Sequence, residues 1–177
     1  MIVHNDPTIR ASALSALVRS NDMTPDDISD ALADPSPIVR SRAATIVARK
    51  WSDLADHVDL LPLLHDADPT VLEVACFAAG ECGPAPDGVV DRLSEIATTH
   101  EDALCRESAV AALGALGDEA GRSAVLAGCH DKATVRRRAV LALAAFDGAE
   151  VEAMLAEMAD DVDWQVRQAA EELLAIE

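Results

Sequence analysis

Asp102-Ala103-Leu104-Cys105-Arg106-Glu107-Ser108-Ala109-Val110-Ala111-Ala112-Leu113-Gly114 is the stretch whose reading decides the fold. It is one of six related phrases, each a polar turn followed by an apolar residue, an arginine and an alanine three positions on. The others are Ile9-Arg10…Ala13, Val39-Arg40…Ala43, Val71-Leu72…Ala75, Val135-Arg136…Ala139 and Val166-Arg167…Ala170. The arginine column steps by 30, 32, 34, 30 and 31 residues. A fixed period of that size marks a stacked array, in which each unit buries its apolar face only against its neighbours.

Composition agrees. Half of the 177 residues are hydrophobic, yet the chain holds only two Phe, two Trp and no Tyr. Alanine and leucine carry the apolar content, which suits close-packed helices, and no stretch shows strand alternation. Each arginine phrase opens an amphipathic helix behind an Asp- or Pro-bearing turn, as in Asn5-Asp6-Pro7-Thr8, Asp34-Pro35-Ser36-Pro37 and Asp66-Ala67-Asp68-Pro69-Thr70. We call these the B helices. A shorter A helix is predicted before each of the later ones: from Thr24-Pro25-Asp26-Asp27, and over residues 53–65, 87–99, 119–129 and 149–159. Eleven helices result, and the array begins with a half repeat because the first B helix has no A helix before it.

The acidic side of the charge is heavy. Against 32 Asp plus Glu stand 14 Lys plus Arg, a net −18. Either this is a solvated acidic surface, or it attracts a basic partner. Both readings oppose nucleic-acid binding, which draws most of its affinity from phosphate neutralisation. The four cysteines (Cys76, Cys82, Cys105 and Cys129) form no CxxC pair and sit in apolar helical contexts, so reduced, buried thiols are expected. Residues 1–6 show no signal peptide and no apolar run is long enough to span a bilayer, which points to a cytoplasmic protein without membrane association.

The pattern D-x-x-x-V-R-x-x-A-A-x-A-L-G, best seen from Asp102 to Gly114 and from Asp131 to Ala139, resembles the short HEAT-like repeat of the phycobilisome-lyase type. The resemblance covers nearly the whole chain. It implies an all-α, right-handed α-α superhelix of about five and a half helical-pair repeats over residues 1–177. It also implies that Arg10, Arg40, Arg106, Arg136 and Arg167 are structural, each reaching aspartates in the turns of a neighbouring repeat. Leu72 breaks the column, so the turn Asp66-Ala67-Asp68 is expected to lack its partner, and Leu72→Arg is expected to stabilise the fold.

Enzymatic readings find little support in the residues. His65-Asp66, His100-Glu101 and His130-Asp131 recur at the ends of A helices. Equivalent positions in stacked helices lie about 8–10 Å apart, whereas metal ligands converge to about 2 Å from one ion. Helix C-terminal capping by these histidines is expected instead. The His-Glu pairs that hold two irons in HEAT-like deoxyhypusine hydroxylases are replaced by Glu107-Ser108, Arg137-Arg138 and Gln168-Ala169. The basic, aromatic-bearing face of HEAT-like DNA glycosylases is also not matched, Arg136-Arg137-Arg138 being the one local basic cluster. No cofactor or metal is expected.

In HEAT-like arrays the B helices line the concave side, which puts positions two, three and six after the apolar residue on the groove wall. Most are small or polar there. Val74, Phe77 and Leu141 are not, and with Arg42, Arg137 and Arg138 they would form an apolar patch edged by positive charge, a suitable centre for binding. The alternative is a register shifted by one, with Phe77 in the core. The expected function is a non-enzymatic scaffold for a protein or peptide partner. An accessory lyase- or chaperone-like role on a modified protein stands second, and nucleic-acid repair third. Self-association is also expected at the first helix, whose Ala13, Leu14, Leu17 and Val18 lack a covering A helix, while Glu171, Glu172 and Glu177 protect the last one.

Overall fold

A computed structural model describes residues 4–55 and 57–175 of the chain. Residues 1–3, with part of the segment read for a leader, residue 56 within the second predicted A helix, and residues 176 and 177 lie outside the described residues. The B helices are α1 (Pro7–Ser20), α3 (Pro37–Arg49), α5 (Pro69–Gly80), α7 (Ala103–Leu116), α9 (Ala133–Leu143) and α11 (Trp164–Leu174). Between them lie α2 (Pro25–Leu32), the short α4 (Trp51–Leu54), α6 (Val89–Thr99), α8 (Arg122–Gly128) and α10 (Ala149–Met158). Each B helix packs on the next, and the A helices α2, α6, α8 and α10 pack on the B helix that follows them. The described residues form an all-helical stack of two layers, as the repeat period predicts.

Local chemistry sets the helix starts. Asp6, Asp68, Asp102 and Asp163 each accept a hydrogen bond from the backbone N–H two residues on, and Pro7, Pro37 and Pro69 occupy the first turn. Thr24 and Asp27 form a reciprocal capping box at α2. Two of the predicted A helices are corrected. Residues 53–65 do not form one helix: α4 ends at Leu54, and a 3₁₀ turn, Leu61–His65, follows. Pro62 bars a continuous helix through to His65, since proline fits a first turn but removes an N–H and clashes inside a helix; it does not account for the end of α4 at Leu54. Residues 119–129 likewise divide into a 3₁₀ turn, Glu119–Gly121, and α8.

The core runs along the seam between the layers, where Leu14, Ile28, Val47, Leu64, Leu93, Leu113 and Leu143 are fully buried. Small residues let the B helices approach closely. A Cβ built on Gly114 would stand 2.5 Å from the Ala142 Cβ, and one on Gly80 would stand 3.0 Å from the Ala112 Cα. Glycine at these positions fixes the spacing of α5, α7 and α9.

The arginine column is a ladder between turns. Arg10 forks onto Asp34 (2.8 and 2.7 Å), Arg40 onto Asp66 (2.6 and 2.9 Å), Arg106 onto Asp131 (2.6 and 2.7 Å) and Arg136 onto Asp161 (2.8 Å for both bonds). The same guanidinium also donates through Nη1 to a carbonyl of its own entry turn: Arg10 to His4, Arg40 to Asp34, Arg106 to His100, Arg136 to Asp131. One side chain thus ties the turn of its own repeat to the turn of the next. Arg167, in the last repeat, donates to the carbonyls of Asp161 and Val162. Bidentate charge-assisted bonds of this kind fix geometry as well as adding energy.

The aspartates respond to their partners. The arginine bond is the main reason the Asp34, Asp131 and Asp161 carboxyls sit below their usual range. At Asp66 burial pushes the other way and is the largest effect. The bonds from Arg40 and from the Asp68 N–H together outweigh it.

The gap in the ladder differs from the expectation. Asp66 is not short of a partner, because Arg40 from the preceding repeat holds it. Leu72 is 2% exposed and belongs to the core. The position its guanidinium would reach is occupied by His100, whose Nδ1 accepts from the Asp102 N–H as Asp34 Oδ1 accepts from Ser36. His100 is therefore an acceptor inside the next turn, which corrects the reading of it as a donor to helix carbonyls. Across this interface Arg92 of α6 donates to the Leu64 carbonyl at 2.9 Å and pairs with Glu95, a tie made from the A layer.

At the start of the array, Leu14 is fully buried, while Ala13, Leu17 and Val18 are half-buried. Packing of α1 on α3 covers more of the first helix than its uncapped position suggested.

Candidate functional site

The face presented by the B helices is built by one helical register. Positions two, three and six after Val39, Val71, Cys105 and Val135 all have solvent access: Ser41, Arg42, Thr45; Glu73, Val74, Phe77; Glu107, Ser108, Ala111; Arg137, Arg138, Leu141. Phe77 is 54% exposed and Leu141 42%. A register shifted by one is thereby removed. Only the outermost repeats close up, with Ala11 and Ala169 buried.

Adjoining recesses run along this face, one of them at Gly114, Ala115 and Leu141 between α7 and α9. A groove of about 530 Å³ between α5 and α7 is walled by Val74, Phe77, Ser108 and Ala111, and floored by Gly80, Ala112 and Ala115. A recess of about 210 Å³ follows, between α7, α9 and the start of α11, holding Arg137, Leu141, Asp163 and Gln165. On the other side a recess of about 540 Å³ at α3 and the entry to α5 holds Ile38, Ser41, Arg42, Asp68 and Thr70. Thr45 lines both the α5–α7 groove and the recess at α3; Glu107 and Arg138 line both that groove and the recess of about 210 Å³.

The six residues singled out from sequence therefore lie along one face but not in one patch. Val74, Phe77 and Arg138 meet in the central groove. Arg137 and Leu141 share the next recess with Arg138, and Arg42 stands apart in the recess at α3. The charge around the patch also differs from the expectation. Glu73, Glu81 and Glu107 line the central groove, and Arg138 is the one cation there, 3.5 Å from Glu107. The apolar centre is edged mainly by carboxylates.

Glu81 is the groove residue that sequence reasoning missed. It lies ten positions after Val71, one turn beyond Phe77, and is on the same face because i and i+4 residues share a side of a helix. Extending the two-three-six register by one turn finds it, together with Ala115 at the same place in α7.

Reactive side chains are otherwise put to structural use. Cys76, Cys82 and Cys129 are buried, and burial pushes each thiol up to about 12; Cys105 is pushed to about 11 by the same cause. A thiol held protonated is a poor nucleophile. Among the described residues no group of three or more His, Cys, Asp and Glu side chains converges as metal ligands would. His65 and His130 are exposed on their turns, and His130 Nδ1 lies 3.8 Å from Glu157. No helix among the described residues is long and apolar enough to cross a membrane.

No curated protein matches the chain. Residues 57–134, which run from the turn after α4 into α9, match the family of HEAT repeats, and with the helix pairs and ladder around them this match supports a HEAT-like repeat protein.

Proposed function

We propose that the chain is a non-enzymatic interaction module whose B-helix face docks a protein or peptide partner. Exposed Phe77 carries this reading. The chain has two phenylalanines: Phe146 is 5% exposed, as an aromatic in a well-packed array should be, whereas Phe77 stands open on the wall of the central groove. A large aromatic left uncovered beside Val74 and a small-residue floor is the composition of a binding hot spot. HEAT repeats are generally interaction scaffolds, which agrees with this use of the face. The 30- to 34-residue period fits the short, phycobilisome-lyase-type form of the repeat. The carboxylates along the groove oppose a phosphate backbone as ligand.

The test is the triple replacement Phe77→Ala, Arg137→Ala, Arg138→Ala. All three side chains are exposed, so the melting temperature should hold while a partner captured by the parent chain is lost. Capture of the same partner by a folded triple variant would refute the assignment of this face.

A further inference from the structure

We infer that the occupant of the α5–α7 groove is an extended, lysine- and arginine-rich segment of another protein, anchored by one apolar side chain. This inference rests on the docking role proposed for the B-helix face and adds the chemistry of what docks there.

The groove offers two kinds of contact side by side. Phe77 and Val74 flank a floor of small residues, Gly80, Ala112 and Ala115, over which an apolar side chain can lie. At about 530 Å³ the space is of the size that takes a few side chains rather than a whole helix or a domain edge. Around it stand Glu73, Glu81 and Glu107. Neither Glu73 nor Glu81 has a cationic partner among the described residues, and the Arg138–Glu107 contact is long and open to solvent.

A cation arriving here meets two unneutralised carboxylates directly and a third by displacing Arg138. Its aliphatic stem can lie along Phe77, an arrangement in which the aromatic face also attracts the charge. The long-range field points the same way. A net charge of −18 draws a basic segment from a distance and repels a second copy of this chain, a nucleic acid or an acidic peptide. An apolar anchor gives the complex its lifetime, and the charges give it speed and selectivity.

Fluorescence anisotropy with three labelled peptides of equal length tests this. One carries several Lys and Arg around a single Leu; the second replaces the cations with Ser; the third replaces them with Glu. The cationic peptide should bind at least about tenfold more tightly than the others, and its affinity should fall as salt is raised. Glu73→Gln with Glu81→Gln should erase that preference with the melting temperature unchanged, because both carboxylates are solvent-accessible. Phe77→Ala should weaken binding at both low and high salt.

No measurable binding of the cationic peptide, or equal binding of all three, overturns the inference, as does a Glu73→Gln/Glu81→Gln variant that binds like the parent. If the Ser or Glu peptide then still binds in a Phe77-dependent way, the docking face stands and only the charge class of its occupant is wrong. If no peptide responds to Phe77→Ala, the docking face itself is wrong.

Discussion

Leu72 stands where the ladder's third arginine would be, and His100 stands where that arginine's aspartate would be. The ladder therefore loses donor and acceptor together, and the interface between α5 and α7 is left without an unpaired ion. Had only the arginine been lost, a half-buried aspartate would remain without its cation, at a cost of about 1–3 kcal/mol. The paired loss explains how one interface of the array can run on apolar contact and on the Arg92–Leu64 bond.

Restoring half of the rung should therefore harm the protein. Leu72→Arg removes a buried leucine and brings a guanidinium to a turn that presents an imidazole. A loss of about 2–4 kcal/mol is expected in urea unfolding. His100→Asp in the same chain supplies the carboxylate and should recover at least about 1 kcal/mol. If the single variant is more stable than the parent, the apolar account of this interface is wrong.

Acid should undo the ladder rungs that are present. Asp161 has its carboxyl held below the usual range, chiefly by Arg136 and then by the Asp163 N–H. A carboxylate with a depressed native pKa stabilises the fold above its unfolded value and loses that contribution as pH falls through the native one. Asp161→Asn should thus cost about 2 kcal/mol near neutral pH. The gap to the parent should stay constant down to about pH 5 and close below about pH 4. Using the difference between two chains removes the general effect of protonating the other carboxylates. A gap that does not change with pH would mean that Asp161 acts by shape and not by charge.

Much of this was legible in the sequence, because the arginine period and the two-three-six register are local properties of single helices. The sequence left two registers open for Phe77, and its 54% exposure selects the two-three-six one. What could not be read depends on distance in the chain. Arg40 finds its aspartate 26 residues on, so the gap at Leu72 falls on the turn that holds His100 and not on the turn of Asp66. The Arg138–Glu107 contact crosses from α9 to α7 and turns an apparently positive edge into a mostly acidic one. Pro62 was visible and should have broken the predicted helix over residues 53–65.

Thiol chemistry gives a further check on the core. The four cysteines are buried at 0–1% exposure and their thiols are pushed up to about 11–12. Alkylation by iodoacetamide near pH 8 should be slow for all four in the folded protein and rapid in urea, as read by mass spectrometry. A cysteine modified at the same rate in both states would show that its segment opens without global unfolding.

The closest approach between B helices supplies the sharpest test of the stacking geometry. Gly114 lies in the last turn of α7, where the preference for alanine over glycine is at most about 1 kcal/mol, its value in a helix interior. Its new Cβ would fall 2.5 Å from the Ala142 Cβ and 2.8 Å from the Ala142 Cα. The second contact is with backbone, so no side-chain rotation relieves it, and α9 must move. Overpacking of this kind costs about 1–3 kcal/mol. Gly114→Ala is therefore expected to lower stability by about 1–2 kcal/mol in urea unfolding, the clash outweighing the gain in helix propensity. The movement also opens the recess lined by Gly114, Leu141 and Arg138, which borders the Phe77 groove. Cationic-peptide affinity should fall in the same variant even under conditions where it is fully folded. An increase in stability would mean that the spacing of α7 and α9 is looser than the glycine contact implies.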